Sequence, residues 1–428
     1  MNYKRENNVH IKYRKTCRVC GSSALTKVID LGEQYIQGAF IKPGMKIPPM
    51  QKFPMSLVRC DSLKDKNACG LLQASYSVPP EILYSVYWYV SGTSNTMRNH
   101  LKEIAEESIE FIGRKTARVL DIGCNDGTLL NYYPLEYSKF GIDPASAVQK
   151  IENKDVTVIQ DFFPSDRLAK KVKGVPFDII TSIAMFYDLE DPVDFVENIK
   201  KLLSSDGIWI FEVAYLPTTL KMNSYDTICH EHLEYYSLAV LEYILKKAEM
   251  KMVKATLNNI NGGSVRCYAT HKENFRYQNE KFEHELNKLR QQEFDLKLDT
   301  NEPYKIFQDN AIRHRDELNR LIHKLKQEGK KIHIYGASTK GNTILQFCGL
   351  DNSIIDFAAE RNPDKYGAKT IGTNIPIISE EESRAKKPDY YLVLPWHFRS
   401  EFLEREKVML ERGVGIIFPF PEIEIIKK

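Results

Sequence analysis

The stretch of this 428-residue chain best equipped for chemistry is Asp226-Thr227-Ile228-Cys229-His230-Glu231-His232, where two imidazoles flank a carboxylate beside a thiol. Imidazole is the side chain whose unperturbed pKa lies near neutrality, so it exchanges protons at working pH. A neighbouring carboxylate can orient that ring or share the proton transfer. His232, Glu231 and His230 are therefore candidate proton-transfer residues. The plain alternative is three surface polar residues at the start of a helix, since a cluster of titratable groups is only a statistical sign of a site.

A second constellation suits a metal. Cys17-Arg18-Val19-Cys20-Gly21 has the spacing of a zinc knuckle, two thiolates on a tight turn that glycine permits. Cys60 and Cys69 form the second pair, separated by the polar insert Asp61 to Ala68. That insert can loop out without moving the ligands. Four thiolates around Zn2+ would let a small, core-poor segment fold. The alternative is four unrelated thiols. The remaining cysteines (Cys124, Cys229, Cys267 and Cys348) are scattered, as buried thiols are.

These residues need elements to hold them. From 117 to about 270 the chain alternates strand and helix patterns, which predicts a doubly wound parallel sheet. Ala117 to Ile122 reads as a strand running into Gly123-Cys124-Asn125-Asp126-Gly127, after which Thr128-Leu129-Leu130 opens a helix. Further strands end at Asp143, at Asp161-Phe162, and at Ala184-Met185-Phe186-Tyr187, and a fifth covers Gly207 to Val213. Strand, Asp-Ile-Gly, then helix is how a class I methyltransferase holds S-adenosylmethionine. Gly123 and Gly127 let backbone approach the ligand. Asp143 stands where a carboxylate accepts ribose hydroxyls, with Asp161 and Phe162 toward the adenine. Asn125, Asp126 and Ala184 complete the expected cofactor-binding set.

Strand–turn–helix logic returns at 330–428. Lys331 to Tyr335 leads into Gly336-Ala337-Ser338-Thr339-Lys340-Gly341-Asn342-Thr343, where helix N-terminal N–H groups and Lys340 suit a diphosphate. Glu360, ending the next strand, could hold a ribose. The alternative there is a Rossmann-like scaffold without a ligand. The expected domains are a zinc-binding module at 13–75 and a methyl-donor domain at 76–270, entered through a helical, aromatic lead-in. A helical connector at 271–329 and a second Rossmann-like domain at 330–428 follow. The fold class is α/β.

Composition limits the rest. The chain is 43% hydrophobic with a formal charge of +3, which gives no argument for a nucleic-acid or membrane partner. Met1 to Lys15 is polar and basic, without the apolar core of a signal peptide, and a cytoplasmic protein is expected.

The chain resembles the sugar-nucleotide C-methyltransferases, the deoxysugar 3-C-methyltransferases of antibiotic and surface-polysaccharide pathways. The matching motifs are Cys17-Arg18-Val19-Cys20-Gly21, Asn125-Asp126-Gly127-Thr128-Leu129-Leu130, and Asp226-Thr227 with His230-Glu231-His232. Asn261-Gly262-Gly263-Ser264-Val265-Arg266, Lys340-Gly341-Asn342-Thr343 and Leu394-Pro395-Trp396 complete them. The resemblance implies a keto-sugar nucleotide substrate, Glu231 and His232 as the general-base pair, His230 in support, and Tyr89 in the same pocket. It adds Cys229, Tyr187, Lys340, Asn342, Glu360 and Arg266 as substrate contacts, in a monomer or homodimer. Many members carry Tyr where this chain has Cys229, and His where it has Phe186-Tyr187. O- or N-methylation of a sugar nucleotide is one alternative. A zinc-ribbon module docking on RNA or protein is another, and the near-neutral charge speaks against it.

Overall fold

A seven-stranded sheet carries the Gly-rich turn. The computed structural model describes residues 9–84 and 87–428; Met1 to Asn8, within the basic N-terminal stretch, lie outside the described residues. Counted along the chain, the strands are Arg118–Ile122, Ser138–Ile142, Val156–Ile159, Phe177–Ile183, Leu203–Ala214, Met250–Asn258 and Ser264–His271. Their order across the sheet is 3-2-1-4-5-7-6, and only the last strand in sequence runs antiparallel to its neighbours. Central strands such as Arg118–Ile122 are apolar and buried nearly throughout, as a sheet covered on both faces requires. The long helix Asn95–Ile112 covers one face. The Ser94 side chain caps its start by accepting from the Met97 N–H, and Gly113 ends it in the left-handed region.

One expected helix is absent. After Gly127 the chain makes only the short 3-10 segment Leu130–Tyr132. Pro134 follows directly, and the residue before a proline is pushed out of the α region.

The N-terminal module is a four-stranded sheet in the order Glu234–Tyr235, Leu72–Ala74, Phe53–Cys60, Leu25–Gln34. Its edge strand comes from far along the chain, directly after the His-Glu-His segment. Helices Glu280–Asp295 and Glu302–Gln327 then lead to a six-stranded C-terminal sheet. In it Ile332–Tyr335, Phe357–Glu360, Ile377–Ser379, Tyr390–Val393 and Gly415–Phe418 are parallel, and Glu424–Ile426 is antiparallel. One hydrophobic core joins the two outer parts. It runs from Ile29, Leu57 and Leu72 through Tyr225, Ile228 and Leu233 to Ile334, Leu345 and Leu392. The segment 225–235 thus lies in the seam between N-terminal sheet and C-terminal domain. Among the described residues no helix is long and apolar enough to cross a membrane.

Candidate active site

The Gly-rich turn sits where strand order reverses between the first and fourth strands, the place where open α/β sheets bind ligands. Gly123 and Gly127 both adopt positive φ, 75° and 73°. A Cβ on Gly123 would come within 2.9 Å of Met185. Asp143 at the end of the second strand accepts the Asn125 N–H at 3.0 Å and the Ala145 N–H at 2.8 Å, one on each oxygen. Each oxygen keeps a further lone pair for hydroxyls. Ala184, ending the fourth strand, is held at φ 56° by its N–H to the Glu212 carbonyl. A non-glycine residue held there marks a strained position of the kind found at functional sites. These features fit S-adenosylmethionine.

Asn125 and Asp126 have other work. The Asn125 side chain accepts from the Ser91 N–H and donates to the Tyr89 carbonyl, both at 3.0 Å. Asp126 accepts the Gly92 N–H at 2.9 Å. Together they clip the strap 89–92 onto the turn. Tyr89 itself is 44% exposed. Asp161 uses its carboxylate within its own turn, accepting from the Phe162 N–H and the Ser165 hydroxyl, while Phe162 lies edge-on to Tyr84 at 6.5 Å.

The His-Glu-His segment does not start a helix. It is an irregular, largely buried stretch that feeds the edge strand Glu234–Tyr235. The His232 ring donates from Nδ1 to the Thr227 carbonyl at 2.7 Å, which leaves Nε2 as its basic nitrogen. The Tyr187 ring meets the His232 ring edge-on at 4.4 Å. Glu231 does not orient this histidine. Both its carboxylate oxygens are buried without a hydrogen-bond partner among the described residues, and the residue is only 5% exposed. Burial pushes its carboxyl up to about 7. The same burial pulls His232 down to about 3, with Lys340 adding to the effect and the Thr227 carbonyl opposing it. His230 is also held down to about 3 by burial. Its Nδ1 faces Gln37 Oε1, and its Nε2 has no partner. Because the Gln37 amide nitrogen donates to Gln34, Oε1 is the acceptor and His230 Nδ1 carries the proton.

Other groups converge here, and of these only Asp226 lies in a segment the sequence singled out. Asp188 Oδ1, the Tyr84 and Tyr235 hydroxyls, Asp226 Oδ1 and His397 Nδ1 are also buried without partners among the described residues. Burial raises the Asp188 carboxyl, and the Glu231 charge adds to it. Buried polar atoms are almost always paired in folded proteins, so this concentration marks a site for a polar ligand. Asp188 follows Phe186-Tyr187 at a strand end, and that position was its one signal in the sequence.

Several expected substrate contacts are engaged elsewhere. Arg266, 3% exposed, bonds Glu212, Glu103 and Glu107 and so ties helix Asn95–Ile112 to the sheet. Asn342 Nδ2 donates to the Gln37 carbonyl at 2.6 Å. Glu360 accepts the N–H groups of Ala337, Arg361 and Asn362. The Gly336, Gly341 and Asn342 N–H groups are also taken by protein acceptors. Sequence reading missed this because the partners, Gln37 and Glu360 among them, are set by tertiary packing. Lys340 donates to the Asn261 carbonyl at 2.6 Å. Cys229 is 3% exposed, and burial raises its thiol.

The four cysteines meet. Cys17 and Cys69 sulfurs lie 3.5 Å apart, Cys20 and Cys60 3.4 Å, and all four ligand atoms fall within 4.8 Å of one another. Thiolates at ~2.3 Å around a tetrahedral zinc stand roughly 3.8 Å apart, so the set fits Zn2+. Hydrogen bonds among the four thiols lower Cys17 and Cys20 and raise Cys60 and Cys69, so the cluster shares its protons. Arg18, between the knuckle cysteines, bonds the carbonyls of Ala74 and Tyr76 and lies 3.5 Å from Glu234. The zinc site therefore braces the sheet whose edge strand continues the His-Glu-His segment.

Fold and Gly-rich turn define an S-adenosylmethionine-dependent methyltransferase. Three family models match in chain order: “Putative zinc binding domain” at 17–84, “Methyltransferase domain” at 97–255 and “C-methyltransferase C-terminal domain” at 259–421. The chain is thus similar, part by part, to proteins with a zinc-binding, a methyltransferase and a C-methyltransferase C-terminal domain. It is 27% identical over 426 residues to a C-methyltransferase, NovU, of Streptomyces niveus, covering 96% of each chain. A solved S-adenosylmethionine-dependent methyltransferase from Clostridium acetobutylicum is 12% identical, covers 41% of this chain and 92% of its own, and gives a TM-score of 0.33. Magnesium protoporphyrin IX methyltransferase from Synechocystis, solved with S-adenosylmethionine, is 12% identical over 41% of this chain and 79% of its own, with a TM-score of 0.30. Scores this low carry no argument, and the fold assignment rests on the sheet topology.

Proposed function

We propose that this enzyme methylates a carbon next to the ketone of a keto-sugar nucleotide, in deoxysugar or surface-polysaccharide biosynthesis in the cytoplasm. The observation that carries the reading is the buried Glu231 carboxyl, which has no hydrogen-bond partner among the described residues, followed in the chain by His232 with Nε2 as its basic nitrogen. Carbon methylation needs a base, because a C–H proton must leave, whereas an O- or N-acceptor already has a lone pair. A ketone acidifies the adjacent C–H. Glu231, held near neutrality by burial, is matched to accept that proton. His232, neutral at pH 7 and fixed by the Thr227 carbonyl, sits beside it in sequence to accept or relay it. The proton moves to the base, and the C–H electron pair becomes the enolate, whose charge ends on the former ketone oxygen. S-adenosylmethionine bound at the Gly-rich turn supplies an electrophilic methyl group. The strap 89–92 is clipped onto that turn by Asn125 and Asp126. Kinship with a C-methyltransferase over 96% of the chain supports the reading.

The test uses 13C-methyl-labelled donor with dTDP-, GDP-, CDP- and UDP-linked 4-keto-6-deoxyhexoses. The expected product carries the label on carbon. A label found only on oxygen or nitrogen would overturn the proposal.

A further inference from the structure

Lys340 has no role in the proton transfer above. It is a lysine in the first turn of helix Thr339–Cys348, placed by the C-terminal domain against the seam. One of its three donors goes to the Asn261 carbonyl at 2.6 Å. Asp226 bears on it electrostatically, as does Cys229. Yet Asp226 gives Oδ2 to the Trp396 indole at 2.9 Å and leaves Oδ1 without a hydrogen bond. The ammonium thus keeps donors free at a half-buried position, where its charge is screened less than in open water. The Lys340 charge acts on His232 and on His397, depressing both. Trp396, the neighbour of His397, packs against Gly262 and docks this C-terminal loop onto Asp226. A Cβ on Gly38 would meet both the Glu231 carboxyl and, at 3.6 Å, Thr339 Oγ1, so the helix start that carries Lys340 adjoins the proton-transfer segment. Around it stand neutral imidazoles, a thiol and carboxyls, none of which can stabilise a new negative charge as an ammonium does.

We propose that Lys340 is the catalytic cation that hydrogen-bonds the enolate oxygen, so that the C-terminal domain supplies the oxyanion stabiliser and the methyltransferase domain supplies the methyl-donor site. The proposal rests on the keto-sugar reading of the site. When the C–H pair shifts into the enolate, the ketone π pair moves to oxygen, and a free N–H of Lys340 donates to it. No proton need leave the lysine.

Lys340→Gln keeps a neutral donor for the Asn261 carbonyl and removes the charge, and Lys340→Arg keeps the charge. The assays use the keto-sugar nucleotide that wild type methylates. Deuterium wash-in next to the ketone, with S-adenosylhomocysteine bound, reports enolate formation without turnover. In Lys340→Gln, wash-in and kcat should fall together, on the order of 10²–10³-fold as for loss of an oxyanion donor. S-adenosylhomocysteine affinity and the circular-dichroism spectrum should not change. Lys340→Arg should recover part of both rates. A raised KM with unchanged kcat and wash-in would overturn the proposal and make Lys340 a substrate anchor. Equal loss in both variants would also overturn it. A wild type that methylates only oxygen or nitrogen, without wash-in, would refute the keto-sugar reading before any variant is made.

Discussion

Replacing Glu231 with Gln separates what the carboxyl does for chemistry from what its burial does to stability. Burial lifts this carboxyl from the ordinary 4.5 to about 7. Between those two pH values the folded chain keeps a proton that the unfolded chain releases. Stability from this group is therefore fully present below about pH 4.5 and is lost as pH rises through about 7. At roughly 1.4 kcal/mol per pKa unit, the interval from 4.5 to 7 corresponds to about 3 kcal/mol. Glu231→Gln cannot ionise, so it escapes that loss. Any packing cost of the amide is the same at every pH, so the difference between variant and wild type isolates the carboxyl. Urea unfolding of both proteins from pH 4.5 to 8.5 should show the variant gaining about 3 kcal/mol on wild type across the range. Methyl transfer by wild type should rise with pH through about 7, and the variant should lose it. Stability curves that run parallel, or a wild type that gains on the variant as pH rises, would refute the burial argument.

Gly38→Ala would drive a Cβ into the Glu231 carboxyl; methyl transfer should fall at least tenfold with S-adenosylhomocysteine affinity kept, since Gly38 touches the proton-transfer residue and not the Gly-rich turn. Zinc removal by a chelator, or Cys60→Ser, should lower the melting temperature and abolish methyl transfer together, because structural zinc contributes folding energy directly; metal analysis and thermal melts check both, and full activity in zinc-free protein would remove the bracing role of the Cys17–Arg18–Cys20 knuckle.

Local patterns carried the sequence reading far. The apolar strands ending at Asp143, Asp161 and Ala184 have the period and punctuation of a wound sheet, and their order along the chain makes the Gly123–Gly127 turn recognisable. The Cys-x-x-Cys knuckle is equally local, and the Cys60–Cys69 insert loops out as its polarity implies. The reading failed where a residue's partner lies far away in sequence. Glu360 and Asn342 look like ligand contacts, but Ala337 and Gln37 engage them. Arg266 sits in a motif, yet its guanidinium is taken up by Glu212, Glu103 and Glu107.

The sequence alone determined which chemistry is present: imidazoles and a carboxylate in one segment, four thiols, and a turn for a methyl donor. The tertiary structure decided how these groups behave. Glu231 titrates near neutrality because Gly38 and the surrounding core strip it of water, an effect of burial that no spacing encodes. His232 takes its orientation from the Thr227 carbonyl rather than from Glu231, because the segment runs irregularly into an edge strand of the zinc-braced sheet. Lys340 reaches the seam because the C-terminal domain packs its helix there, more than a hundred residues along the chain from His232.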